Sequence, residues 1–456
     1  MTSTPLASAR ERRAPAFGAR RGPERRPPWP ALTALAGLPV LLTVAHLFFG
    51  ANQPAASAWL TALLGAALLV GLMTPLRRSL DDLDALAAPA LLFGLVIAVA
   101  AWSLTPWGPG GAHPVWGWAG VTPGSLTIDR GATRLEIAKL LGLACAFGLG
   151  ALQGVRRDRA QATVELIVWI GGAYAVIALV SFLSGTQVAQ GGRLSGGFLS
   201  ANSGGTVFGI LTVLGLTLFL RAWSRTEGRG RTARLTAAAA PVACLALTAV
   251  CLMLTASRMA LVATLFASGA LLVWTLVSRK RNRSAIGAAA GLLLAVAALL
   301  MVGGNDLLWS RLAEGQSGLG DRSHLFSVHW GAFTASPLFG WGLGSFDAVN
   351  LQLMTAETAP DLWHIRATHN VYLQWLEEAG LAGAVPMFLL IGMIVASAVM
   401  RSGTGRGQTL LIGLTCANVV VLIHGLTDFG LQVPSIAAFW SFLLGLQFGF
   451  GRGGGR

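Results

Sequence analysis

Apolar runs of about 18–22 residues recur along this chain, and each is long enough to cross ~30 Å of hydrocarbon as a helix. They fall at 31–50, 55–74, 84–103, 135–154, 162–184, 203–222, 235–256, 259–278, 284–303, 381–400, 409–427 and 433–450. No soluble fold accommodates that many uninterrupted runs. Composition agrees, because 54% of the residues are hydrophobic and 11% charged, whereas soluble domains carry about a quarter charged residues. The expected fold is an all-α polytopic membrane protein with about twelve transmembrane helices.

The net charge of +14 raises the question of nucleic acid. Its placement answers against that partner. The arginines gather in "LRRS", "VRRDR", "RAWSRTEGRGRTAR", "SRKRNR", "RSGTGR" and the two terminal segments, always between apolar runs and always on alternate connections. Basic connections mark the cytoplasmic face. Of the 33 lysines and arginines, only Arg130, Arg134, Lys139, Arg193, Arg258, Arg311, Arg322 and Arg366 lie elsewhere. Both termini are therefore expected in the cytoplasm. The chain divides into a disordered basic tail (1–30), nine membrane helices (31–303), one large periplasmic loop (304–380), three further membrane helices (381–450) and a short cytoplasmic tail (451–456).

The spans carry almost no ionisable side chains. Ion-coupled pumps keep acids or histidines at mid-membrane depth, and this chain offers no such relay. A carrier or flippase for a lipid-linked glycan is the non-enzyme alternative, and it should expose a polar interior through the bilayer. Cys145, Cys244, Cys251 and Cys416 all fall inside apolar runs, with neither metal-ligand spacing nor a disulfide framework. No metal site is expected.

Polar residues gather instead on the outer connections. His113, His324, His329, His364, His369 and His424 all lie there, and so do the isolated arginines. Residues 321–336 space their apolar positions near a helical period. "PLFGWGLGSF" (337–346) breaks that helix, and "HNVYLQWLEEAG" (369–380) reads as a helix ended by Gly380 as a C-terminal cap. Arg258 stands in "LTASRMALVATL", a hairpin with almost no loop. An arginine there either snorkels to lipid headgroups or holds phosphate, for which its weakly hydrated, bidentate guanidinium is suited. His369, with acids nearby, is either a general base or a structural histidine. His424 and Asp428 are spaced i,i+4 and so are expected to share a face.

These pieces together resemble the O-antigen ligase and polymerase family. The resemblance rests on "GGRLSGGFLSANSGG", "LTASRMALV", "SPLFGWGLGSF", "THNVYLQWLEEAGLAG" and "HGLTDF", in that order, over roughly residues 190–430. It implies a GT-C-like helical fold in the bacterial inner membrane. It also implies transfer of a glycan from undecaprenyl diphosphate to a hydroxyl of a glycolipid or glycan acceptor at the periplasmic face, with inversion and no cofactor. Arg193, Arg258 and Arg322 match the diphosphate-binding arginines, and His369 matches the histidine beside the acceptor. Asn202 and Asn370 are weaker matches, and Arg366, His424 and Asp428 are possible support. Asp321, Glu377 and Glu378 are alternative bases, in which case His369 positions the acceptor. The family contains both ligases, with lipid A core as acceptor, and polymerases that extend a lipid-linked glycan. One dominant outer loop leans towards the ligase arrangement.

Overall fold

A computed structural model describes residues 29–73, 86–108, 110–187, 192–278, 317–401 and 407–452, the side chains of 29–34 and 317–322 excepted. Among these residues every regular element is helical and there is no strand. The long helices are α1 (Trp29–Leu47), α2 (Pro54–Met73), α3 (Ala87–Trp102), α5 (Arg130–Gly154), α6 (Arg157–Leu183), α7 (Ala201–Arg225), α8 (Arg231–Leu254) and α9 (Arg258–Ser278). After residue 316 come α10 (Ser317–Ala335), α13 (Val371–Met400), α14 (Gln408–His424) and α15 (Pro434–Arg452). Short helices α4 (Val115–Trp118), α11 (Phe346–Gln352) and α12 (Ala359–Leu362) lie in the connections.

Among the described residues, eight helices are long and apolar enough to cross a membrane: α2, α5, α6, α7, α8, α9, α13 and α15. Apolar stretches of α1, α3 and α14 are shorter and coincide with three more expected spans. The expected ninth span, 284–303, lies outside the described residues, as do the tail up to residue 28 and the first part of the large loop.

The bundle is organised around α7, whose whole apolar window is buried by its neighbours. Its glycines and threonines explain this burial. Small residues let helix backbones approach closely where apolar packing alone has no advantage over lipid. The same device joins α5 to α15. A methyl group added at Gly150 or Gly154 would run into the carbonyl oxygens of Phe442 and Leu446, and one at Gly445 or Gly449 into those of Phe147 and Ala151. Each helix thus presents a glycine pair, four residues apart, to the backbone of the other. Two polar contacts tie the bundle together: His46 Nδ1 lies 2.8 Å from Ser435 Oγ, and Lys139 pairs with Glu136 on α5.

Gly380 differs from its expected role as a cap. It has φ 58° and ψ −172°, yet the helix resumes beyond it, so α13 is one helix broken in the middle. The segment before α11 satisfies the break from both sides. The Trp341 and Gly342 N–H groups donate to the carbonyls of Glu377 and Glu378 at 3.0 and 2.8 Å. The Leu381 and Ala382 N–H groups donate to Pro337 and Leu338, each at 2.9 Å. A side chain at Gly380 would collide with the Leu338 carbonyl. The left-handed φ that commonly ends a helix here admits a second strand of chain.

Candidate active site

The glycine-rich turn before α7 is fixed by its backbone. Gly197, at φ 93°, lies against Leu47, where any Cβ would meet the α1 backbone within 3 Å. Its carbonyl accepts from Phe49 N–H at 3.1 Å, while Tyr174 Oη donates to the Gly196 carbonyl at 2.6 Å. Leu194 N–H donates to the Leu254 carbonyl at 2.9 Å, tying the turn to the end of α8. Ser200 caps α7 through its side chain.

That anchoring presents Arg193. Its Nε donates to the Thr255 carbonyl at 2.7 Å and its Nη2 to Asn202 Oδ1 at 2.6 Å. Asn202 in turn donates through Nδ2 to Asp428 Oδ1 at 3.2 Å. The same Asp428 oxygen lies 4.0 Å from His369 Nδ1, and the carboxylate is only 1% exposed. A hydrogen-bonded chain therefore runs from Arg193 through Asn202 to Asp428, whose carboxylate stands 4.0 Å from His369, across residues far apart in sequence.

His369 reaches this position on a strained backbone, with φ 55°. A non-glycine residue held there costs about 1–3 kcal/mol and persists only where its surroundings impose it. Those surroundings are visible. Val371 N–H donates to the Gly425 carbonyl at 2.9 Å, Tyr372 Oη donates to Leu422 at 2.8 Å, and the His369 ring meets Phe429 edge-on at 4.9 Å. Asn370 caps α13 by accepting from the Tyr372 and Leu373 N–H groups at 3.0 and 3.1 Å. Arg258 opens α9 three residues after Thr255, so the hairpin that receives Arg193 also carries the second arginine.

His424 lies beside this chain. Its Nδ1 is 2.8 Å from Thr206 Oγ1 and its Nε2 is 3.5 Å from Ser257 Oγ. The i,i+4 spacing with Asp428 does not place the two on one helical face, because α14 ends at His424. The carboxylates of α13 sit elsewhere. Glu377 Oε2 is 2.7 Å from His329 Nδ1, both side chains being fully buried. Glu378 accepts from Gly344 N–H at 2.8 Å and from the Gln374 amide at 2.9 Å. Arg366 meets Asp347 at 3.6 Å on an exposed surface. Asp321 and Arg322 lie near the start of α10, with side chains outside the described residues.

The structure thus gathers Arg193, Asn202, His369, Asp428 and His424 around the hairpin of Arg258. It places Asn370 as a cap, Arg366 on the surface, Glu377 in a sealed pair with His329, and Glu378 bound to Gln374 and the Gly344 N–H. Sequence reasoning missed Thr206, Ser257 and the His329–Glu377 pair. Thr206 follows Asn202 by one helical turn, a spacing that marks a shared face. Nothing local points from His329 to Glu377. Among the described residues no cluster of three or more His, Cys, Asp or Glu side chains has the proximity needed to hold a metal ion.

All-helical among its described residues, with several helices able to span a membrane and with Arg193 linked through Asn202 and Asp428 to the neighbourhood of His369, the protein falls among membrane-embedded enzymes and carriers. Residues 243–388, from α8 into α13, match the O-antigen ligase family model. That family consists of membrane glycosyltransferases of the ligase or polymerase type that use lipid-linked glycans. The matched stretch contains Arg258, Arg322 and His369, while Arg193, Asn202 and Asp428 lie outside it. No curated protein matches the chain.

Proposed function

We propose that the protein is an inverting ligase that moves a glycan from undecaprenyl diphosphate to a hydroxyl of a glycolipid acceptor, at the periplasmic face of the inner membrane. The observation that carries this reading is the polar chain linking Arg193 to His369 through Asn202 and Asp428. It couples a group suited to a diphosphate with a group suited to a hydroxyl proton.

In the reaction the acceptor oxygen attacks the anomeric carbon, and the bond from that carbon to the diphosphate oxygen breaks. The leaving diphosphate keeps the electron pair. Arg193 and Arg258, with Arg322, neutralise the charge that grows on it, which supplies much of the rate without protonating it. His369 takes the hydroxyl proton, and the buried Asp428 carboxylate orients the ring and stabilises the imidazolium that forms. Only a carboxylate fixed before the reaction serves that purpose, and Asn202 fixes it.

The direct test is His369→Gln in vesicles with labelled donor. Glutamine keeps hydrogen bonding but cannot accept the proton, so turnover should fall about 10²–10⁴-fold with donor binding unchanged. Transfer at the parent rate would remove His369 as base. The basic connections support a periplasmic site with both termini cytoplasmic. Reporter fusions near residue 350 should then report the periplasm, and a cytoplasmic signal there would defeat the orientation.

A further inference from the structure

A cavity of about 520 Å³ lies among α2, α3, α5, α13, α14 and α15. That volume falls within the roughly 300–1,000 Å³ range of small-molecule sites. Its walls are hydrocarbon, with residues such as Leu64, Phe93, Leu140 and Ile391. Among the described residues its charged lining groups are Glu136, Lys139 and Glu378, and Lys139 is already paired with Glu136. Tyr372 and Trp375 lie on the same wall as Glu378. Val371 and Gly425 also line the cavity. They are joined by a backbone hydrogen bond of 2.9 Å, two residues after His369 and three before Asp428. The cavity therefore abuts the candidate active site. Arg193 and Arg258 do not line it; they come from the turn before α7 and from the start of α9.

We propose that this cavity holds the hydrocarbon chain of the acceptor, a lipid whose headgroup presents hydroxyls, an inference that rests on the glycosyl-transfer reading above. The pairing of the charges selects the occupant. Lys139 is already held by Glu136 and Glu378 accepts from Gln374 and the Gly344 N–H, so among the described residues the lining offers a diphosphate headgroup no unpaired cation. Sugar hydroxyls can donate to the same carboxyl oxygens. The arginines offer the diphosphate its better site. Donor and acceptor then approach His369 from different helices, and an acceptor lacking a hydrocarbon chain forgoes the contact.

The experiment uses the full-length protein in vesicles. A Cβ at Gly392, which lines the cavity, meets nothing within 4 Å, so Gly392→Trp fills the space without displacing backbone. Ala144→Phe, from the opposing α5 wall, repeats the test should the first variant fail to accumulate. The binding probe is a diazirine-bearing long-chain alkyl glucoside. It should label the α5 and α13 walls of the parent, fall about tenfold in either filled variant, and resist excess undecaprenyl diphosphate. Displacement by undecaprenyl diphosphate would assign the cavity to the donor and overturn the proposal, as would absence of labelling in the parent. In turnover, the KM for a lipid acceptor should rise about tenfold in the filled variants with the donor KM unchanged, and a rise confined to the donor KM overturns the proposal. A parent that labels as expected but transfers no glycan to any acceptor would sink the enzymatic reading, while the cavity's preference for the hydroxylated lipid stands.

Discussion

Two polar clusters built from the same residue types flank the first turns of α13. In one, His369 lies 4.0 Å from the Asp428 carboxylate with 23% of its side chain exposed. In the other, His329 lies 2.7 Å from the Glu377 carboxylate with no exposure on either side. The His329 ring also stacks on Phe346 at 4.9 Å. A histidine and an acid are thus not by themselves a catalytic signature. The close, sealed pair holds α10 to α13, and the looser pair leaves its ring partly exposed. Stability and chemistry should accordingly separate between them.

The largest expected effect breaks the sealed side. His329→Leu leaves a buried carboxylate without its donor, and thermal unfolding in detergent should show a loss of about 3–5 kcal/mol. Replacing both partners, His329→Leu with Glu377→Leu, should recover most of it, because replacing both partners of a buried hydrogen bond by apolar groups can be nearly neutral. A single substitution costing no more than the double one would show that the pair holds nothing. Next comes the open side. Arg258→Ala should lower transfer about 10²–10³-fold, the range for a lost transition-state donor, while the protein accumulates normally. Arg258→Lys should stay impaired, since a point charge does not reproduce the bidentate fork. Full activity in the lysine variant would reduce Arg258 to an interface anchor. The smallest effect sharpens the boundary between the two. Asn370 adjoins His369 yet caps α13, so Asn370→Ala should cost about 0.5–2 kcal/mol of stability and leave the chemical step nearly intact. A large loss of turnover in folded protein would move Asn370 into the chemistry.

The helices were legible because the bilayer imposes length and hydropathy directly on sequence, and eleven of the expected spans coincide with helices. The arginines and His369 were legible as outliers in an apolar chain. The contacts among them were not. Asn202 and Asp428 are 226 residues apart, and no local pattern encodes their meeting. Proximity in sequence misled at Arg366, three residues from His369 yet exposed beside Asp347. At Gly380 a helix end was expected and a break inside one helix is found, because whether a helix ends or breaks there depends on the Pro337–Gly342 segment that fills the gap. Periodicity cannot see that partner.

The interlocked glycines of α5 and α15 impose an order in time. During synthesis α5 enters the bilayer with the face of Gly150 and Gly154 bare, and the matching face of Gly445 and Gly449 does not yet exist. The roughly 280 residues between them, at about 5–20 residues per second, take roughly 15–60 s to make. For that interval lipid must stand in for a backbone, so the N-terminal helices wait loosely associated. A helix made nearly three hundred residues later is the one that closes against α5.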